Sequence, residues 1–496
     1  MISDYNSDMS GLTKVAVFFK TYGCQANVAD SAGISSFLEG LGCFQVESEA
    51  EADLIMVNTC AIREKAEQKL YSYLGEIAEY KKALPYLKVG IIGCVASYRK
   101  QEMLTRFDHV SFVSGARDER SSFLTYLADV IVQLQTEKQF FAQTGRRDRS
   151  LPKLGRDVKA ALKKRTTVIP AQLLRDSAQA AMGGSLAPVG EVKRAFVNIT
   201  TGCDNYCTYC IVPMTRGKEV SYPLEDIVLR VTHEVAAGAK EITLIGQNVN
   251  SYTCPQSGAR FAALLEAVAV IPGEFWVRYI SPHPKDMTRD VLETMARYAE
   301  KLCSWCHFPL QAGSTRVLEL MNRTYTREEY IDQVALIRAL VPEVTITTDI
   351  IVGFPGETHE EYLETREVME EVGFDLVYSF VYSRRKYTKA YTMGDTCSEE
   401  EKAARLSALQ ERQREIGVER NQRYVGKNLR VLVEKRSTSG KLLARSSGNH
   451  RVVFDGDDSL IGSFVYVYIT EAGLADLRGT MTQTLLSKSV ENNTAA

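Results

Sequence analysis

No apolar run in this 496-residue chain reaches the length, about 18 residues, that a membrane-spanning helix needs. Its first residues, MISDYNSDMSGLTKVAVFF, lack a basic region followed by a long apolar run, so a secretory signal is not expected and the expected location is the cytoplasm. An excess of charge of one sign is missing as well. Sixty Lys and Arg face 62 Asp and Glu, for a net charge of -2. That excludes a strong field over the whole surface, and a nucleic-acid partner would have to meet a local basic patch. There is no internal repeat and no low-complexity tract. Eleven cysteines are an odd number, poorly suited to a disulfide scaffold in a long chain without a secretory signal. Reduced thiols serving a metal or catalysis fit better.

What is present is ordinary in bulk and specific in detail. A hydrophobic fraction of 45% and a charged fraction of 25% fit a soluble globular protein. The length exceeds what one core organises and implies about two to four domains. In the first third, strand-like KVAVFF (14–19), ADLIMVNT (52–59) and KVGIIG (88–93) alternate with helical stretches, which predicts a parallel α/β domain over 14–135. The pattern fades over 136–190. Within it, residues 146–165 hold nine basic and two acidic residues, to be read as a solvated linker or as an RNA-contacting segment. Over 191–423, six strand-like runs recur: RAFVNIT, EITLIGQ, FWVRYIS, WCHFPLQ, TITTDIIVG and DLVYSFVY. Six βα units predict a partial barrel rather than an eight-stranded one. Short strands broken by Gly, Ser and Asp over 424–487 predict a small antiparallel β-barrel. The expected fold class is therefore α/β, closed by an all-β module.

Cys203, Cys207 and Cys210 follow directly on RAFVNIT, at the carboxyl end of the first barrel strand. Structural zinc wants four protein ligands. Three thiols in one short loop suit an iron–sulfur cluster with one iron left open. Cys24 (YGCQAN), Cys60 (MVNTC) and Cys94 (IIGC) each fall just past a strand-like run, and parallel strands end on one edge, so a second three-thiol site is predicted. Zinc in both sets, or buried cysteines acting as small hydrophobes, are the competing readings. Cys43, Cys254, Cys303, Cys306 and Cys397 are read as packing residues, and His283 and His307 as satisfied buried histidines.

The spacing C-x3-C-x2-C, with Tyr209 before its last cysteine, resembles that of the radical S-adenosylmethionine (SAM) enzymes. The segments KTYGCQAN, NTCAIREKAEQKL, GCVAS, TGCDNYCTYCIVPMTRGKE, IGQNVNSY, SPHPKDMT, HFPLQAGSTRVLELMNR and DIIVGFPGET, in this order, are similar to those of the methylthiotransferases, nearest to the MiaB type. The resemblance implies two [4Fe-4S] clusters, a radical-SAM cluster on Cys203, Cys207 and Cys210 and an auxiliary one on Cys24, Cys60 and Cys94. It implies sulfur insertion and methylation at C2 of N6-isopentenyladenosine at position 37 of tRNA. The tRNA anticodon stem-loop, an electron donor and a sulfur donor of unspecified identity are then the partners, the chain acting as a monomer with no membrane contact. Tyr209, Gln247, Ser281, Gln311, Ser314 and Gly353 become candidate SAM contacts, with Gly356 beside them, although each also suits a turn or packing role. The last barrel resembles a TRAM domain. Its Lys427, Arg430, Lys435, Arg445 and Arg451, with Arg436 and Lys441 and flanking Tyr424 and Phe454, then read as RNA contacts, or else as a solvated charged face. SRRKYTKAY (383–391) departs from the family's usual RPGT-like turn, so no substrate contact is carried over there. Sister enzymes acting on threonylcarbamoyladenosine in tRNA or on a ribosomal-protein aspartate share the chemistry, and a noncatalytic iron–sulfur RNA-binding protein is the rival of another class.

Overall fold

A computed structural model describes residues 14–61, 64–84, 86–144, 183–184 and 191–484, and the basic stretch 146–165 lies outside these. Contacts divide the chain into two units. The first takes the chain to Gly184 together with Phe196–Asn198 and Ile211–Lys218. The second takes Ser185–Ala195, Ile199–Cys210 and everything from Glu219.

The first unit alternates β1 (Ala16–Tyr22), α1 (Gln25–Gly40), β2 (Phe44–Gln45), β3 (Leu54–Thr59), α2 (Glu64–Ala83), β4 (Lys88–Gly93), α3 (Ala96–Arg106), β5 (Phe112–Gly115) and α4 (Arg120–Thr144). The strands lie in the order β2-β1-β3-β4-β5 and every pair is parallel. Every residue of β3 is buried, because helices cover both faces of a parallel sheet. Alternation along the strand splits its side chains between two cores. Ile55 and Val57 join Leu70, Leu74 and Ile77 of α2, whereas Leu54 and Met56 join Ile34 and Leu38 of α1 and Leu127 and Ile131 of α4. Each such side chain contributes roughly 1.5–3 kcal/mol. The polar run QTEKQFFAQT reads as the start of a linker from 136, but α4 continues to Thr144, anchored by buried Val130, Ile131 and Leu134 just upstream. A short helix, α5 (Val212–Arg216), completes this unit.

The second unit carries the start of β6 (Arg194–Asn198), whose last three residues count with the first unit, and β7 (Glu241–Ile245), β8 (Trp276–Tyr279), β9 (Trp305–His307), β10 (Thr345–Val352) and β11 (Leu376–Val381), with helices between successive strands. Pairs β7–β8, β9–β10 and β10–β11 are parallel. Backbone bonds from Lys240 N to Lys193 O (2.9 Å) and Ile199 N to Ile245 O (2.8 Å) flank β6 and tie it to β7. The bridge Val277–Leu302 joins β8 to the approach to β9. The result is two sheets, one holding β8-β7-β6 and the other β9-β10-β11, which this bridge joins into the expected open series of six strands. Helix α12 (Glu399–Gln422; α6–α11 are the intervening helices Leu224–Ala236, Phe261–Ala269, Arg289–Arg297, Thr315–Leu320, Arg327–Leu340 and His359–Val372) leads into a closed barrel of β12 (Asn428–Arg436), β13 (Leu442–Ser446), β14 (Arg451–Phe454), β15 (Phe464–Ala472) and β16 (Leu477–Thr484). One neighbouring pair, β14–β16, is parallel, against the expectation of a wholly antiparallel barrel. The reason is arithmetic: five strands in a closed ring cannot alternate direction all the way round.

The small barrel packs on the strand array through Trp276 against Phe464, their rings 4.9 Å apart. Beside them, buried Arg278 donates to Glu241 Oε2 (2.7 Å), Ser446 O (2.7 Å) and Ser447 O (2.8 Å). Burial alone pushes the Glu241 carboxyl up, but Arg278 and then Arg194 outweigh it and hold it below the usual glutamate range. A depressed folded-state pKa stabilises above the unfolded value and loses that stabilisation as pH falls through the folded one. Arg278→Ala leaves Glu241 buried without its main partner. It should cost about 3–5 kcal/mol in denaturant unfolding and move acid unfolding to higher pH, and Glu241→Ala in the same chain should restore part of the loss.

Candidate catalytic centre: two nests of three thiols

In the first unit, sheet register brings Cys24, Cys60 and Cys94 to one edge. Tyr22 pairs with Thr59 and Thr59 with Gly93, on adjacent strands. Cys60 and Cys94 each follow by one residue and Cys24 by two, and neighbouring strands lie about 4.8 Å apart. Cys60 and Cys94 are buried and Cys24 is half-buried. The turns allow little else. A Cβ on Gly23 would stand 2.8 Å from Cys60 Cβ, and one on Gly93 would stand 2.3 Å from Asn58 Oδ1, at a backbone φ of +95°. Beneath the thiols, Asn58 donates to Asn27 O (2.8 Å) and Ser31 Oγ (3.1 Å), while Asn27 Nδ2 donates to Asn58 Oδ1 (2.8 Å). Cys24 occupies the N-terminal end of α1. A hydrogen bond with Cys60 lowers its thiol pKa to about 6, against the effect of burial and with help from Arg216 and the N–H groups of Asn27 and Ala26. Arg216, on α5, interacts with the Cys94 sulfur through its charge and pairs with Asp30 at 2.9 Å. It lies 122 residues from Cys94 in sequence, and only the segment TRGKE hinted at it.

In the second unit, the loop Cys203–Cys210 is clamped by the turn after α9. Thr208 donates to Met321 O (3.0 Å) and Leu320 O (2.9 Å), and Asn322 Nδ2 to Asn205 O (3.0 Å) and Tyr206 O (3.2 Å). Tyr206 adopts φ 49° at the loop tip. Cys203 is buried, and burial pushes its thiol up to about 11. Buried Arg323 points Nη1 at Cys207 Sγ (3.6 Å) and is braced by Pro309 O (2.9 Å) and Tyr325 Oη (2.8 Å). Tyr209 lies close enough to Cys207 and Cys210 to feel both, and burial raises its hydroxyl pKa. Asn322 and Arg323 were not singled out from sequence, although LELMNR contains them.

The expected SAM contacts fall into two groups. Gln247 lies at the end of β7 with its Oε1 buried and unpartnered, as is Asn248 Oδ1 next to it. Glu219 accepts from Ser251 Oγ (2.5 Å), and burial raises its pKa. These acceptors suit a ligand that brings an ammonium and a sulfonium, as SAM does. Ser281 (φ 62°) and Gln311 (φ 74°) take left-handed turns at later strand ends. Ser314, by contrast, donates to Glu361 Oε1 (3.2 Å), and Gly353 backs onto Lys402, whose Cγ would lie 2.4 Å from an added Cβ. Among the described residues no three His, Cys, Asp or Glu side chains close round one point as a single metal ion requires. Each nest offers three sulfurs, the soft donor set that suits an iron–sulfur cluster.

The remaining expectations can be placed as well. Cys43, Cys254, Cys303, Cys306 and Cys397 are all buried, and burial pushes Cys303 and Cys306 up to about 12. His283 is buried, accepts from Lys285 N (3.2 Å) and is kept neutral by burial. His307 contacts Thr347 Oγ1 (3.1 Å) and Asp349 Oδ2 (3.3 Å). On the small barrel every proposed RNA-contacting cation meets a carboxylate. Lys427 pairs with Glu343 (3.1 Å), Arg430 with Glu274 (3.0 Å) and Arg445 with Glu434 (2.6 Å), which turns these three toward neighbouring structure. Lys435, Arg436, Lys441 and Arg451, with Arg478, instead line a groove of about 880 Å³, where their partners are Glu191, Asp458, Asp455, Asp476 and Glu471.

Comparison with known proteins accounts for all three regions. Residues 197–369 match the radical SAM superfamily, 16–115 the uncharacterized protein family UPF0004, and 422–482 the TRAM domain. The tRNA-2-methylthio-N(6)-dimethylallyladenosine synthase of Geotalea uraniireducens is 38% identical over 467 residues, 94% of this chain and 98% of that protein. The protein of the same name from Syntrophomonas wolfei is 40% identical over 466 residues, 92% and 96% of the two chains. Among solved structures, the radical SAM methyltransferase TsrM from Kitasatospora setae, with cobalamin and a [4Fe-4S] cluster bound, shares the fold at a TM-score of 0.50 and 15% identity, over 76% of this chain and 74% of that one. With two three-thiol nests at strand ends and near-full-length similarity to these synthases, the chain belongs to the radical SAM methylthiotransferases, in the tRNA-2-methylthio-N6-dimethylallyladenosine synthase family.

Proposed function

We propose that the two nests divide the work of one reaction, the methylthiolation of C2 of N6-isopentenyladenosine in tRNA. Cys203, Cys207 and Cys210 hold the [4Fe-4S] cluster that engages SAM, and Cys24, Cys60 and Cys94 hold the second. What supports this reading is that the sheet register puts Cys24, Cys60 and Cys94 just past three adjacent strand ends, and that Cys203, Cys207 and Cys210 share one clamped loop. When bound, the first cluster and SAM supply a 5'-deoxyadenosyl radical, and the second cluster holds the sulfur to be inserted. C2 of an adenine has no acidic proton, so positioned acids and bases would not readily functionalise it and radical chemistry is needed.

The protein's own groups bind and orient. Gln247, Asn248 and Glu219 offer acceptors to the cationic end of SAM. Tyr209, Ser281 and Gln311 shape the same mouth, while Ser314 and Gly353 set the loops behind it through Glu361 and Lys402. Arg323 supplies a fixed positive charge at Cys207. The target is base 37 of the anticodon stem-loop, turned out of its stack into the strand array, which is how RNA loops are commonly read. The groove of Lys435, Arg436, Lys441 and Arg451 contacts phosphates, while Arg430 and Arg445 are held by Glu274 and Glu434. The chain works as a cytoplasmic monomer, organised as 14–135, 136–190, 191–423 and 424–487, and draws electrons and sulfur from donors outside itself.

With anaerobically reconstituted protein, SAM, a reductant and tRNA bearing isopentenyladenosine, nucleoside mass spectrometry should show the mass gain of a methylthio group. Cys207→Ala should abolish both this product and 5'-deoxyadenosine. Cys60→Ala should abolish the product, lose about half the iron and retain 5'-deoxyadenosine. Unchanged nucleoside alongside abundant 5'-deoxyadenosine in the unaltered protein would refute the substrate assignment.

The carboxylates in the groove compete with RNA phosphates for the same cations. Asp455→Asn combined with Asp458→Asn should therefore tighten tRNA binding and steepen its salt dependence, whereas Lys441→Ala should weaken binding and reduce the slope of log K against log salt by roughly 0.7–0.9. Filter binding across a salt series reads both.

A further inference from the structure

Arg216 is a charged group that interacts with the first nest, and nothing in the reaction described above uses it. Its side chain is only 6% exposed. A buried charge is costly unless it is paired and hydrogen-bonded. Its one carboxylate partner, Asp30, is shared: Oδ2 accepts from Arg216 Nη2 at 2.9 Å and Oδ1 from Arg120 Nη1 at 3.1 Å. Two guanidinium groups thus meet one carboxylate, and an uncompensated positive charge remains. The sulfurs take up part of it. Arg216 interacts with Cys94, and more weakly with Cys24, through its charge. The backbone that carries it is pinned. Ser97 Oγ, in the first turn of α3 after Cys94, donates to Thr215 O at 2.8 Å, and Arg117 Nη1 donates to Met214 O at 3.3 Å. The guanidinium is therefore aimed by packing rather than free to swing.

We infer that Arg216 is a positioning residue that raises the reduction potential of the cluster held by Cys24, Cys60 and Cys94, through the buried positive charge that Asp30 and the pinned backbone of α5 hold beside them. The inference rests on the reading that these three cysteines hold a cluster. The physical ground is general. Reduction adds negative charge to a cluster, and a fixed buried cation beside its ligating sulfurs stabilises the reduced form. Asp30 works in the opposite sense, partly neutralising the cation while orienting it.

The test uses the full chain with Cys203, Cys207 and Cys210 changed to alanine, so that iron can load only on the first nest. Iron and sulfide content is measured first, then the potential by titration followed by electron paramagnetic resonance. Arg216→Met should shift the reduction equilibrium at least tenfold toward the oxidised form, equivalent to 59 mV for one electron. Arg216→Lys should recover most of that shift, and Asp30→Asn should move the potential upward. Equal potentials in Arg216→Met and its parent, at equal iron content, overturn the inference. If Arg216→Met loads no iron, Arg216→Gln and Asp30→Asn decide it, moving down and up respectively if the inference holds and staying put if it fails. A parent that loads no cluster at all refutes the assignment of the cysteines instead, a result distinct from either.

Discussion

Parallel strands deliver their last residues to one edge of a sheet, and the chemistry of this protein hangs on that constraint. In the first unit the register Tyr22–Thr59–Gly93 sets three strand ends abreast, and a cysteine follows each. The cost falls on the turns. Gly23 and Gly93 leave no room for a Cβ, and Asn27 and Asn58, both fully buried, satisfy each other where bulk would otherwise intrude. In the second unit a strand end launches the loop Cys203–Cys210, and a turn more than a hundred residues later holds that loop in place.

Charge is placed as deliberately as sulfur. A chain of net charge -2 still buries Arg216, Arg278 and Arg323, the last two with several acceptors each and Arg216 on a carboxylate it shares. Two of them meet sulfur. Arg278 instead joins the strand array to the small barrel through Glu241 and the carbonyls of Ser446 and Ser447. On the surface of that barrel the cations are neutralised by neighbouring carboxylates, so it carries a row of exchangeable ion pairs rather than a bare positive stripe. Exposed pairs of this kind contribute little to stability, typically under about 1 kcal/mol, which makes them inexpensive to exchange for phosphate.

Reading the chain in order recovered the alternating strands and helices of both parallel regions, because their hydrophobic runs are short, β-branched and bounded by turns. The six cysteines could be singled out for the same reason, each set lying beside a strand end. Less was legible where a residue's role is fixed by a distant partner. Ser314 and Gly353 look like mouth residues from their positions after strands, yet one is bonded to Glu361 and the other lies against Lys402. Arg430 and Arg445 look like RNA contacts from their charge, yet they face Glu274 and Glu434.

The sequence by itself determined the order of the elements, the two sets of three thiols and the family, since these depend on local periodicity and on motifs contiguous in the chain. Only the tertiary structure decided which cations face sulfur, which face carboxylates, and that one strand pair of the small barrel runs parallel. Those outcomes depend on pairings between residues far apart in the chain, as Arg216 with Asp30 and Arg278 with Ser446 are, and on the closure of five strands into a ring. Neither a long-range pairing nor a ring closure leaves a periodic trace in the order of residues.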